Sequence, residues 1–135
     1  LLCGAALSEI TGSDVAKGIS ILETLSPMDV GQGVVVENGL CLGIETLQGT
    51  DALLNFVAAT PVHLRKMGGV FVKAPKRGQD LRVDMPTIGP DTITAMKTAG
   101  LSTLVIASGA VLLLECDDTI RLAKQANITV FARDT

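Results

Sequence analysis

The chain has 135 residues, enough for one domain with a real core, and a formal net charge of -3. Hydrophobic residues make up 47% and aromatic ones only 2%, with no Trp and no Tyr. The core must therefore be built from Val, Ile, Leu and Ala, and neither the basic surplus nor the stacking aromatics of a nucleic-acid binder are present.

The chain opens on the apolar stretch LLCGAAL. With no basic region before it, this reads not as a signal peptide but as the remnant of a segment preceding the domain, residues 1–12, with the domain itself at 13–135. Ser13 or Asp14 is placed to cap a first helix whose Val15, Ile19, Leu22 and Leu25 follow helical spacing, ended by Ser26-Pro27. Gln32 to Val36 and Leu40 to Thr46 are apolar runs on either side of Glu37-Asn38-Gly39, which predicts a hairpin. Gly49-Thr50-Asp51 opens a second helix with Leu53, Leu54, Val57 and Ala58 on one face. It is kinked or ended by Pro61, with His63 on its back half.

Gly69 to Lys73 reads as a short buried strand. A Pro- and Gly-rich charged segment follows, and Pro90 or Asp91 then starts a third helix closed by Gly100. Leu101 to Leu114 is the longest apolar run, but it is broken by Ser102, Thr103 and Ser108-Gly109 and is shorter than the roughly 18 residues of a membrane span. It divides into a second strand pair, Leu104 to Ala107 and Ala110 to Leu114. Asp117 caps a fourth helix with Ile120, Ala123 and Ala126 inward, and Ile128 to Ala132 is the last strand. The expected fold is α/β: a mixed sheet with hairpins, flanked by about four helices.

Cys3, Cys41 and Cys116 are far apart, form no C-x-x-C and lie near no histidine. Zinc and disulfides are not expected, a reducing compartment is, and all three read as small apolar packers. Neither a dinucleotide fingerprint nor a P-loop occurs.

The chemistry concentrates elsewhere. Arg65, Lys66, Lys73, Lys76, Arg77 and Arg82 are six of the 11 Lys and Arg residues, and Asp80, Asp84 and Asp91 lie among or just after them. Cations interleaved with aspartates suit a metal-bound polyphosphate, although the same charges also suit a solvated, self-paired loop. Asp51, at a helix start where free N–H groups favour an anion, is either a helix cap or a metal ligand. Thr87-Ile88-Gly89-Pro90-Asp91 makes a second strand-loop-helix entry of this kind. Glu45 is a ligand or general base near Asp51, or an exposed strand-end charge.

Two blocks together carry a resemblance. Asp29 to Leu40, then Leu42-Gly43-Ile44-Glu45 and Gly49-Thr50-Asp51-Ala52, form the first; Lys73-Ala74-Pro75-Lys76, Gln79-Asp80, Arg82, Asp84 and Pro86-Thr87-Ile88-Gly89 form the second. The sequence resembles the LpxI-type UDP-2,3-diacylglucosamine pyrophosphatases of lipid A biosynthesis, from about Asp14 to Val130. Leu47 and Gln48 depart from it, standing where an acidic or small residue is expected before Gly-Thr-Asp.

The resemblance implies a C-terminal catalytic domain without its N-terminal Rossmann-like partner, and hence a fragment only partly active by itself. It implies Mg²⁺-dependent hydrolysis of the substrate's pyrophosphate to UMP and 2,3-diacylglucosamine 1-phosphate. The setting implied is the cytoplasm of a Gram-negative bacterium, at the inner-membrane surface, with a homodimer expected. Carried over by residue, Asp51, Lys73, Lys76 and Arg82 are catalytic. Thr50, Gln79, Thr87 and Glu45 bind substrate, and Asp51, Asp80 and Asp84 hold the metal. A non-catalytic module binding a nucleotide or phosphosugar, or a dimerisation domain, is the alternative.

Overall fold

The computed structural model of the chain describes residues 1–4, 6–75 and 86–133. At its centre lies β3 (Gly69–Lys73), buried along its whole length. A strand that meets no water must satisfy its backbone on both edges. Antiparallel β1 (Gly33–Glu37) does so on one side and parallel β5 (Leu101–Ala107) on the other. β2 (Leu40–Ile44) and parallel β7 (Thr129–Arg133) extend the sheet to the order β2-β1-β3-β5-β7.

Alternation along these strands divides the core in two. Val34, Val36, Val70, Val72 and Val105 face α1 (Glu9–Leu25) through Val15, Ile19 and Leu22. Val35, Phe71, Leu104 and Val130 face the other way, into one cluster with Leu54 and Val57 of α2 (Thr50–Ala58) and Ile93 and Met96 of α3 (Pro90–Thr98). Ala123 of α4 (Cys116–Gln125) joins the same cluster. The fold is α/β with a mixed sheet and four helices among the described residues, as expected.

The hairpin forms where Asn38-Gly39 predicts it, with φ of 50° and 81° at these two residues. Two consecutive positive φ values are the signature of a type I′ turn. Asp14 is buried in α1 and accepts hydrogen bonds from the N–H groups of Asn38 and Gly39, each at 2.8 Å. It braces the hairpin, while the cap of α1 is Ser8, whose Oγ accepts from the Thr11 N–H at 3.1 Å. The helix therefore starts earlier than Ser13 or Asp14.

The expected second strand pair does not form. β5 has both edges occupied, by β3 and β7, so it has no free edge to offer. β6 (Leu112–Leu113) pairs instead with β4 (Thr87–Ile88) in a separate parallel ladder. α2 ends at Ala58, and His63 lies exposed in a following 3₁₀ turn, Val62–Leu64. Asp117 lies in the first turn of α4, which Glu115 enters at a φ of 44°. All three cysteines are unpaired, but only Cys3 is buried; Cys41 and Cys116 are exposed and not core packers. Cys3 bridges to Val130 of β7. No helix among the described residues is long and apolar enough to cross a membrane.

Candidate functional site

In open α/β sheets, ligands bind beyond the carboxyl ends of the parallel strands. Lys73 is the last residue of β3 and stands in register with Gly33 of β1 and Ile106 of β5. Glu45 follows β2, and its N–H bonds the Gly33 carbonyl at 2.8 Å, so the antiparallel pairing continues one residue past Ile44. Both charged side chains thus arrive at one end of the sheet. Gly33 leaves room for them: a Cβ there would lie 2.7 Å from Glu45 Oε2 and 2.8 Å from Phe71 Cε1.

The first residue of α2 completes the group. Lys73 Nζ donates to Thr50 Oγ1 at 2.5 Å and to Glu45 Oε2 at 3.2 Å. Thr50 Oγ1 in turn donates to Glu45 Oε2 at 2.9 Å. Lys73 is 5% exposed and Glu45 8%. Charges so far from water persist only when paired and hydrogen-bonded, and the closed triangle supplies both. Glu45 is therefore a buried, paired carboxylate and not an exposed strand-end charge.

At α2 the chain turns in through Gly49, at φ 94°, and no side chain caps the helix. The first-turn N–H groups have no partner within the helix, and the helix dipole makes this end positive. Asp51 lies in that turn, exposed, and is not the cap. Among the described residues no hydrogen bond or ion pair engages its carboxylate. One end of the sheet therefore combines a locked cation, a fixed hydroxyl, free helix amides and an available carboxylate.

The structure brings Glu45, Thr50 and Lys73 together, with Asp51 next to Thr50 in the same turn. Thr87 is not a member of the triangle; it is exposed on β4 in register with Leu112. It leads into α3, whose N-terminus at Gly89 is likewise uncapped by a side chain and carries Asp91 in its first turn. Lys76, Gln79, Asp80, Arg82 and Asp84 lie outside the described residues. No group of three or more His, Cys, Asp or Glu suited to a metal ion occurs among the described residues.

A second buried ion pair, unforeseen from sequence, lies at the opposite end of β1. Arg65 Nη2 meets Glu37 Oε1 at 2.7 Å, and Arg65 Nη1 donates to the Ala99 carbonyl at the end of α3. Burial pushes the Glu37 carboxyl up. The Arg65 hydrogen bond and charge, with the N–H groups of Lys66 and Gly69, outweigh this and hold it below its ordinary value. This pair ties the hairpin to the far end of the helical layer and faces away from the Lys73 end.

Comparison with known proteins gives the following. A family model described as the LpxI C-terminal domain matches residues 1–131. A protein of Caulobacter vibrioides named UDP-2,3-diacylglucosamine pyrophosphatase LpxI is 37% identical over 126 residues, 90% of this chain and 45% of that protein. The chain thus spans less than half the length of this curated relative.

Among solved structures, the apo dCMP deaminase of cyanophage S-TIM5 superposes with a TM-score of 0.56 at 13% identity, covering 94% of this chain and all of that one. The same deaminase with dCMP and dUMP gives 0.55 at 14% identity, covering 95% of this chain and 100% of that one. At such identity the likeness is one of fold alone.

Proposed function

The chain belongs to the LpxI C-terminal domain family, and we propose that it forms the polar half of an enzyme that hydrolyses the diphosphate of UDP-2,3-diacylglucosamine. The products would be UMP and 2,3-diacylglucosamine 1-phosphate, an intermediate of lipid A biosynthesis. The name of the 37% identical relative supports the reaction. The observation that carries it is the Lys73–Thr50–Glu45 triangle beside the free N-terminus of α2.

Hydrolysis of a diphosphate needs charge on phosphoryl oxygens stabilised while water attacks. Free amides at the start of α2 offer hydrogen bonds and dipole to such oxygens. Lys73 adds a fixed positive charge behind them and holds Thr50 and Glu45 in place, so the first turn of α2 is set before substrate arrives. Lys76 and Arg82 add further positive charge from the segment after β3, and Arg82 neutralises the leaving phosphate. Gln79 and Thr87 bind phosphate or sugar.

A hard divalent ion prefers carboxylate oxygens, and the exposed, unengaged carboxylate of Asp51 fits Mg²⁺. Asp80 and Asp84 are its proposed companions as ligands. Bound there, the ion would neutralise charge on the phosphoryl oxygens. We place the reaction in the cytoplasm at the inner-membrane surface, in a homodimer of protomers longer than this chain.

The test is UMP release from UDP-2,3-diacylglucosamine by the full-length protein, with Mg²⁺ and after chelation. Release that stops on chelation and returns with Mg²⁺ is expected. A folded protein that binds UMP but releases none from this substrate would mark a binding module instead.

A further inference from the structure

The stretch Gly31-Gln32-Gly33 leads into β1, the strand that lies between β2 and β3. Neither glycine has a positive φ, so backbone conformation does not call for glycine at either position. Space does. A Cβ on Gly31 would lie 1.8 Å from the Glu45 carbonyl oxygen and 2.7 Å from its carbonyl carbon. Main chain rests on main chain there, and a carbonyl in the backbone cannot swing aside as the end of a side chain can. On Gly33, a Cβ would meet the carboxylate of the same glutamate, and the Gly33 carbonyl accepts its N–H. Glu45 is thus seated at its N–H, its carbonyl and its carboxylate by two glycines. Between them, the Gln32 carbonyl accepts from the N–H of Ala74 at 2.9 Å, and Ala74 follows Lys73. Three consecutive residues therefore set the spacing from Glu45 on one neighbouring strand to Lys73 on the other.

We propose that Gly31 and Gly33 are positioning residues: acting through Glu45, they fix the Lys73 ammonium against Thr50. The use of that ammonium in diphosphate hydrolysis rests on the function proposed above. Glu45 Oε2 accepts from both Thr50 Oγ1, at 2.9 Å, and Lys73 Nζ, at 3.2 Å. Bonds of this length weaken steeply when stretched. Relieving the Gly31 contact moves the Glu45 backbone by more than an ångström, and a methyl group on Gly33 displaces the shared oxygen itself.

The experiment is reductive methylation of the folded full-length protein, read at Lys73 by mass spectrometry against the exposed Lys97. Wild-type Lys73, buried and paired, should react slowly. Gly33→Ala should raise its labelling at least about tenfold, the weight of one charge-assisted hydrogen bond. Gly31→Ala should raise it at least as much, and Gly33→Ala decides the matter even if Gly31→Ala does not fold. Gly18→Ala is the control. Its Cβ would meet Val72 Cγ2 at 2.8 Å in the core facing α1, on the other side of the sheet. It crowds the core without touching Glu45, so Lys73 should label as in wild type. Wild-type labelling of Gly33→Ala, an equal rise in Gly18→Ala, or unfolding of Gly33→Ala would each overturn the assignment. UMP release from UDP-2,3-diacylglucosamine by Gly33→Ala should also fall at least about tenfold. A freed Lys73 with wild-type release would take Lys73 out of the proposed reaction and leave the glycine pair. No release by wild type would remove that reaction and leave the labelling result.

Discussion

Lys73 shows how one residue serves both fold and site. Its ammonium offers three hydrogen bonds, and in the described structure Glu45 and Thr50 take them. Removing one partner of a buried pair leaves the other charge without compensation. Lys73→Met should therefore destabilise the protein by about 3–5 kcal/mol in urea unfolding, and adding Glu45→Gln should recover part of the loss. An equal loss in the single and double variants would show that the pair does not stabilise the fold.

Glu37 makes the opposite kind of prediction, one about pH. Its folded carboxyl titrates below the ordinary value of 4.5. Its stabilising contribution is thus fully present above that value and is lost as the pH falls through the lower folded value. The urea midpoint of wild type should drop on acidification through this window, and Glu37→Gln should drop less. Parallel curves for the two proteins would show that Arg65 does not hold the Glu37 charge.

At the scale of elements, the hairpin was legible because Asn38-Gly39 fits a type I′ turn locally, whatever surrounds it. β3 is legible because Gly69 to Val72, uncharged up to Lys73 and bounded by Gly68 and Pro75, suits a short buried strand. The α1 boundary was not, since Ser8, Ser13 and Asp14 are all competent caps and only the tertiary fold decides among them. Asp14 turns inward to the hairpin, a long-range contact that no local pattern records. Leu112–Leu113 is a strand, within Ala110 to Leu114 as expected, but its partner is hidden from sequence for a similar reason: local apolar character cannot show that β5 already has two neighbours.

The site was half legible. Residue type and position single out Glu45, Asp51 and Lys73, and the family resemblance adds Thr50. That Glu45 and Lys73 form a buried pair emerges only when β1 brings the ends of β2 and β3 together. The Asp14 brace has a measurable weight. Asp14→Ala leaves the two turn N–H groups without their acceptor and should cost about 1–3 kcal/mol. Hydrogen exchange at Asn38 and Gly39 should speed up with it, and unchanged exchange would argue against the brace.

Across the whole molecule, the two buried ion pairs stand at opposite ends of the central strands. Glu37–Arg65 fastens the hairpin to the end of α3, while Lys73–Glu45 sits at the carboxyl end of β3. The fold is similar to that of a deaminase, but the chemistry follows the local groups, not the fold. In the proposed reaction, the first turn of α2, backed by Lys73, acts through Asp51. The direct measurement is turnover of UDP-2,3-diacylglucosamine by full-length Asp51→Ala, alongside its unfolding midpoint. Near-complete loss of UMP release is expected, with stability within about 0.5 kcal/mol of wild type because the residue is exposed. Near-normal release from the folded variant would contradict it.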